Sequence, residues 1–419
     1  MDLQFTTLGA LIGLVVAIIL IIKKVQPAYG LILGALIGGL IGGGGLAGTV
    51  STMVSGAGSM MSSVLRILTS GILAGALIKT GAAQKIAETI VDTIGEKRAI
   101  AALAVATMII CAVGVFIDIA VITVAPIALA IGERAGLSKS GILLAMIGGG
   151  KAGNIVSPNP NTIAVTEAFQ LDLTAVMLKN LIPALCALIA TIVLASLLSK
   201  KAGDGISQND LEAAPAEKLP NALQAFAGPL TVIVLLALRL AKISVDPLIA
   251  LPLGGLVCIL VTGNIRNLIP YTDFGLSKVI GVAILLIGTG TIAGIIKASA
   301  LQKDMTTLLS AMNMPAFILA PLSGILMAAA TASTTAGSTV ASQTFSGTLL
   351  AAGVPALSAA AMIHAGATVL DSLPHGSFFH ATGGSVYMDI KNRMKLIPFE
   401  ALIGLTSTIV AVILYLVTA

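Results

Sequence analysis

Apolar residues run through this chain in blocks of about 17 to 25, the length that crosses the hydrocarbon core of a bilayer as a helix. The blocks predict spans near 6–22, 29–45, 61–79, 138–165 and 173–199, and again near 225–242, 246–263, 279–297, 355–385 and 397–417. Two further apolar stretches, 99–131 and 315–350, carry an interruption at the middle. The first breaks at Gly114-Val115-Phe116-Ile117-Asp118 and the second over Thr331 to Thr339. Both read as re-entrant hairpins that enter and leave on one side. After each third span comes a segment with one apolar face: Ile86, Ile90 and Ile94 among Lys85, Glu88 and Asp92, then Met305, Leu308, Leu309 and Met312. Such segments fit helices lying along the membrane surface.

The two halves follow one scheme. Lys79, Gln84 and Lys85 match Lys297, Gln302 and Lys303 at an offset of 218, and Met146-Ile147 match Met362-Ile363 at 216. The chain therefore divides into a first repeat, 1–199, a polar linker, 200–224, and a second repeat, 225–419. With five spans and one hairpin per half, the loops 23–28, 79–98, 132–139, 200–224, 264–278 and 391–395 share one side, which holds 16 of the 23 Lys and Arg. Cytoplasmic loops carry the excess of Lys and Arg. The linker is thus expected in the cytoplasm and both termini outside, with the repeats inverted in a bacterial inner membrane. The first Lys is Lys23, so no basic stretch precedes the first span and a cleavable secretory signal is not expected.

Composition agrees with the span pattern: 57% hydrophobic residues, 10% charged and a mean hydropathy of +1.06 exclude a soluble domain, in which roughly 25% of residues are charged. The fold class expected is an all-α polytopic membrane protein. Glycine supplies 45 residues, dense over Gly38 to Gly45, and small residues let helix backbones approach closely in lipid. The net charge of +5 is scattered rather than gathered into a stripe, which argues against nucleic acid. Cys111, Cys186 and Cys258 lie far apart in apolar segments without C-x-x-C or Cys/His spacing, and read as small buried hydrophobes. No metal or cofactor is expected.

Two polar islands interrupt the fourth span of each half: Ser157-Pro158-Asn159-Pro160-Asn161-Thr162, and Asp371-Ser372-Leu373-Pro374-His375-Gly376-Ser377, with Pro158 and Pro374 216 residues apart. A broken backbone at membrane depth must be buried in protein or line a water-filled cavity, because lipid satisfies none of its freed polar groups. Paired breaks in two halves point to a transport site near the midplane. Ser157, Asn159, Asn161 and Thr162 offer neutral hydrogen bonds there, as do Ser333, Thr334, Thr335 and Ser338 at the second hairpin tip and Ser377 at the second break. Single Ser and Thr residues have the alternative of bonding back to their own helix.

Asp118 and Asp371 are candidates to carry a coupling proton, since acids within a membrane are costly and face a partner or a cavity; each could instead be a structural acid. Lys151 either pairs with a carboxylate, attracts an anionic substrate or snorkels to an interface. All three histidines, His364, His375 and His380, fall in or near the second broken helix. His375 at the break is a candidate for substrate or proton contact, and His380 for packing or capping. No Ser/His/Asp order or H-E-x-x-H motif supports an intramembrane enzyme.

The run Asp118-Ile119-Ala120-Val121-Ile122-Thr123-Val124-Ala125-Pro126-Ile127-Ala128-Leu129-Ala130, followed by Gly148-Gly149-Gly150-Lys151-Ala152-Gly153-Asn154 and the Ser157 to Thr162 island, resembles the gluconate permease (GntP) family of the ion transporter superfamily. The resemblance implies a proton-coupled symporter for gluconate-like sugar acids or small hydroxy-carboxylates, a homodimer whose transport domain moves as an elevator, and a site lined by the two tips and two breaks. The stretch Leu373 to His380 departs from typical gluconate carriers and looks closer to a branch assigned to short hydroxy acids such as 3-hydroxybutyrate. A cation/proton antiporter of the same superfamily is the other transport alternative.

Overall fold

The computed structural model describes residues 5–201, 204–207, 210, 219–238, 243, 245–311 and 315–418. Among these residues the fold is all helix, with two isolated bridges, Phe5 to Ser299 and Ser138 to Gly205. The helices Met61–Lys79, Leu181–Ser199, Ile265–Lys297 and Ile390–Thr418, two of them counted with a short leading turn, are long and apolar enough to cross a membrane. Large apolar side chains point outward, among them Leu185, Ile189 and Val193 on one helix and Ile409, Ile413 and Leu416 on another. Buried polar groups such as Lys151, Asn154 and Asp371 lie inside. That inversion suits a lipid surround, where the outer surface has no water to meet.

Glycine sets the helix contacts. Thr7–Ile22 and Pro27–Ile41 run together through Gly9, Gly13, Gly34 and Gly38, where a Cβ on Gly34 would lie 2.4 Å from the Gly13 carbonyl oxygen. Met61–Lys79 lies along Leu268–Lys297 through Gly71, Gly75 and Gly275 in the same way. The dense glycine run divides its work: Gly38 and Gly39 pack, whereas Gly43 (φ 92°) and Gly45 (φ 60°) turn the chain. The turn leads into Gly45–Gly58, a helix that its Thr and Ser content hid from the apolar count.

Several boundaries move. The loop expected at 264–278 is helical instead, since Tyr271, Thr272, Asp273 and Lys278 lower the hydropathy without breaking the helix, which at 30 residues spans about 45 Å. The 391–395 segment, expected as a solvated loop, buries Arg393 against the Phe379 ring. Of the linker, 202–203, 208–209 and 211–218 lie outside the described residues, as do 239–242 of the sixth span. The described part of the linker docks on the start of Lys139–Asn154: Asp204 accepts from the Ser140 N–H and hydroxyl, and Asp210 pairs with Lys139 at 2.7 Å. Ala82–Ile94, bounded by Gly81 and Gly95 at positive φ, buries Ile86. Leu301–Ala311 is the corresponding helix of the second half; the Leu309 side chain and Met312 lie outside the described residues.

Both interrupted stretches are helix pairs, Ala99–Ala112 with Ile117–Arg134 and Leu319–Thr331 with Thr334–Ala351. The polar islands break helices as expected, separating Lys139–Asn154 from Pro160–Ala168 and Ala356–Gly366 from Ser377–Gly384. The leading part of each broken helix packs on the helix pair of its own half. The trailing parts cross over: Pro160–Ala168 packs on Thr334–Ala351, and Ser377–Gly384 on Ile117–Arg134.

Candidate functional site

Four helices begin at one place. Pro158 and Pro160 remove backbone donors, so the first broken helix cannot continue; Pro160 restarts it at N1, and the Asn159 side chain accepts from the Asn161 and Thr162 N–H groups at 3.0 and 3.1 Å. Ser333 caps Thr334–Ala351 by accepting from the Ala336 N–H, after Ala332 turns the chain at φ 46°. Phe116 and Gly376, both extended, precede Ile117–Arg134 and Ser377–Gly384. The opening turns of these four helices and the start of Pro27–Ile41, with the end of Lys139–Asn154 and part of Leu268–Lys297, line a cavity of about 470 Å³.

Of the residues singled out from the sequence, Asp118, Asn161, Ser333, Thr334, Thr335, Asp371 and Ser377 line this cavity. Ser157, Asn159, Thr162 and Ser338 are buried behind its wall, where Asn159 caps a helix and Ser338 donates to the Thr335 carbonyl oxygen. His375 is exposed and outside the lining; His364 is fully buried, and a ring nitrogen of His380 lies 2.8 Å from the Pro374 carbonyl oxygen, tying the second break to the helix that follows it.

Polar lining residues that the sequence reading did not assign to the site include Asn154, Gln26 and Lys278. Asn154 ends the first half of its helix, and its side-chain oxygen accepts from the Asn161 amide at 3.0 Å and from the Asn159 amide. Gln26 and Lys278 stand exposed at the rim. Asn154 closes the Gly148 to Asn154 motif and was legible there; Lys278 was hidden by the misplaced start of its helix.

Charge is distributed unevenly around the cavity. The Lys151 ammonium turns away from it, donating to Asp371 Oδ1 at 2.6 Å, to the Thr368 carbonyl oxygen at 2.6 Å and to that of Glu400 at 3.4 Å. Asp371 also accepts from the Thr334 hydroxyl at 2.6 Å and the Ser372 hydroxyl at 2.9 Å. Pair and partners are almost wholly buried. A second buried pair, Arg393 with Glu400, adjoins the first, since Glu400 contributes its carbonyl to Lys151. Asp118, by contrast, is half-buried at the cavity and forms no ion pair among the described residues. Farther out, Arg66 bridges Glu167, at the end of the first broken helix, and Asp246, which caps Pro247–Val261.

The profile of the GntP family permeases matches residues 5–245. A Haemophilus influenzae protein described as an uncharacterized transporter is 57% identical over 411 residues, covering 98% of each chain. The Escherichia coli inner membrane permease YgbN is 31% identical over 174 residues, 39% of this chain and 37% of that one. Two solved structures share the fold: the YdaH transporter of Alcanivorax borkumensis (TM-score 0.69, 14% identity, 87% of this chain and 88% of that one) and MtrF of Neisseria gonorrhoeae (TM-score 0.61, 12% identity, 89% and 84%). With the family profile matched over more than half its length and a near-full-length relative at 57% identity, the chain belongs to the GntP permease family and is an integral membrane transporter.

Proposed function

We propose that the protein is a proton-coupled symporter that imports a small hydroxy-carboxylate. The observation that carries this reading is the meeting of four helix N-termini around one cavity of about 470 Å³. Each terminus turns the positive end of a helix dipole toward the cavity, which favours an anion, and the starts of Ile117–Arg134 and Ser377–Gly384 carry no side-chain cap. Ser333, Thr334, Thr335, Asn154, Asn161 and Ser377 supply neutral donors and acceptors suited to substrate hydroxyls, and the volume falls in the range of small-molecule sites. Lys278 at the rim draws anions toward the opening. Asp118, facing the cavity without an ion-pair partner among the described residues, carries the proton.

The helix pairs and broken helices form the moving unit, and Met61–Lys79 with Leu268–Lys297 and the helices packed on them form the scaffold. In this reading the repeats are inverted, the helix pairs are re-entrant and movement is of the elevator kind, within a homodimer in the inner membrane with linker 200–224 in the cytoplasm. Gln26 belongs to the segment 23–28 on the Lys- and Arg-rich side and Lys278 to the first half of Leu268–Lys297, which starts on that side, so in this reading the cavity opens inward. The test is uptake of labelled gluconate, glycerate or 3-hydroxybutyrate into proteoliposomes under an imposed pH gradient. Flux of a bound acid that ignores the gradient would sink the proton-coupled version.

A further inference from the structure

The two tip-and-break pairs carry one carboxylate each, on opposite members. Asp118 sits in the first turn of Ile117–Arg134, and at the 216-residue offset its counterpart is Thr334, in the first turn of Thr334–Ala351. Asp371 sits on the second break, and its counterpart is Ile155, beside Asn154. In the first half, then, the acid is on the tip and amides are on the break. In the second half a hydroxyl is on the tip and the acid is on the break, where Thr334 reaches it.

Among the described residues a cationic side chain is paired with Asp371 and none with Asp118. That cation, the Lys151 ammonium, is held by a carboxylate oxygen and two backbone carbonyl oxygens, of Thr368 and Glu400. Thr368 lies just past the C-terminal end of Ala356–Gly366, the negative end of that helix. Unwound carbonyls, a helix C-terminus and a carboxylate are the donors that hold an alkali cation at a broken membrane helix. Here they hold an ammonium delivered by the chain itself from 220 residues away.

We propose that Lys151 is a resident cation, tethered in a monovalent-cation site, and that it withdraws the second half's site from exchange with solution. Asp118 is then the one group charged and discharged in each cycle. The inference deepens the proton-coupled reading, and its test reads cation binding without transport, so the two fail separately.

Full-length protein in detergent is unfolded thermally in sodium, methylammonium or choline chloride at equal ionic strength. The wild type unfolds at one midpoint in all three. Lys151→Ala unfolds earlier in choline, because it leaves a buried carboxylate unpaired, and sodium or methylammonium raises its midpoint saturably, as a ligand of the native state does. Adding Asp371→Asn to Lys151→Ala removes the cation effect and restores much of the midpoint. An equal response of Lys151→Ala to all three salts overturns the proposal, as does a wild type that gains as much from sodium as the variant. Should Lys151→Ala yield no folded protein in choline, it is purified in sodium and in methylammonium. Recovery there supports the proposal; failure in all three salts while the double variant folds overturns it.

Discussion

Replacing Asp118 by Asn keeps the size and hydrogen-bonding capacity of the side chain and removes its ability to exchange a proton with the cavity. Of the two carboxylates at the cavity, Asp371 is held by Lys151, Thr334 and Ser372, whereas Asp118 forms no ion pair among the described residues. One titrating carboxylate means one proton per substrate. A pH difference of one unit is worth about 1.4 kcal/mol per proton, so with the membrane potential clamped the wild type accumulates substrate about tenfold per unit of gradient. In Asp118→Asn the accumulation ratio falls to about one, while exchange of labelled for unlabelled substrate continues, because binding and movement of the loaded site do not need the proton carrier. Proteoliposomes loaded with buffer of one pH and diluted into another report both quantities. Wild-type accumulation in Asp118→Asn would remove the residue from the mechanism, and wild-type accumulation near a hundredfold per unit would require a second proton carrier.

Glu400→Gln leaves the buried Arg393 guanidinium without its carboxylate, a loss of about 3–5 kcal/mol by analogy with other broken buried pairs; thermal unfolding shows it as an earlier midpoint, and Arg393→Met with Glu400→Leu recovers most of it. Glu167→Gln frees the end of the first broken helix from Arg66, so backbone amides of Pro160–Ala168 exchange hydrogen faster than in the wild type. Asp210 is held down to about 2 by the hydrogen bonds it accepts from Lys139 and from Ser207. Because that lies below the ordinary carboxylate value, its support for linker docking is complete above about pH 4 and lost as pH falls toward 2. Pepsin cleavage of the linker therefore rises over that window in the wild type, and is already high at pH 4 in Asp210→Asn.

Block length and polar interruption made most of the helices legible in the sequence, because a bilayer enforces helix length and a proline at a break leaves no continuous alternative. Gly45–Gly58 and the start of Leu268–Lys297 escaped that reading, being held by glycine packing rather than by apolar content. Of the site, the two tips and two breaks were legible as places. What each side chain does there was not. Lys151 meets Asp371 across 220 residues, and nothing local to the Gly148 to Asn154 motif distinguishes a lysine aimed at substrate from one aimed at a carboxylate. His375 drew weight from its position in the second island, yet the helix restart at Ser377 leaves it on the exposed side of the turn.

The crossing of the trailing helix halves has a consequence for biogenesis. Pro160–Ala168 rests on Thr334–Ala351, and Ser377–Gly384 rests on Ile117–Arg134. While the chain is being synthesised, the first broken helix has left the ribosome long before its packing partner exists. The second must then fit onto a helix inserted much earlier. Neither half can finish its own share of the cavity, so its wall is completed only when the last third of the chain is in the membrane.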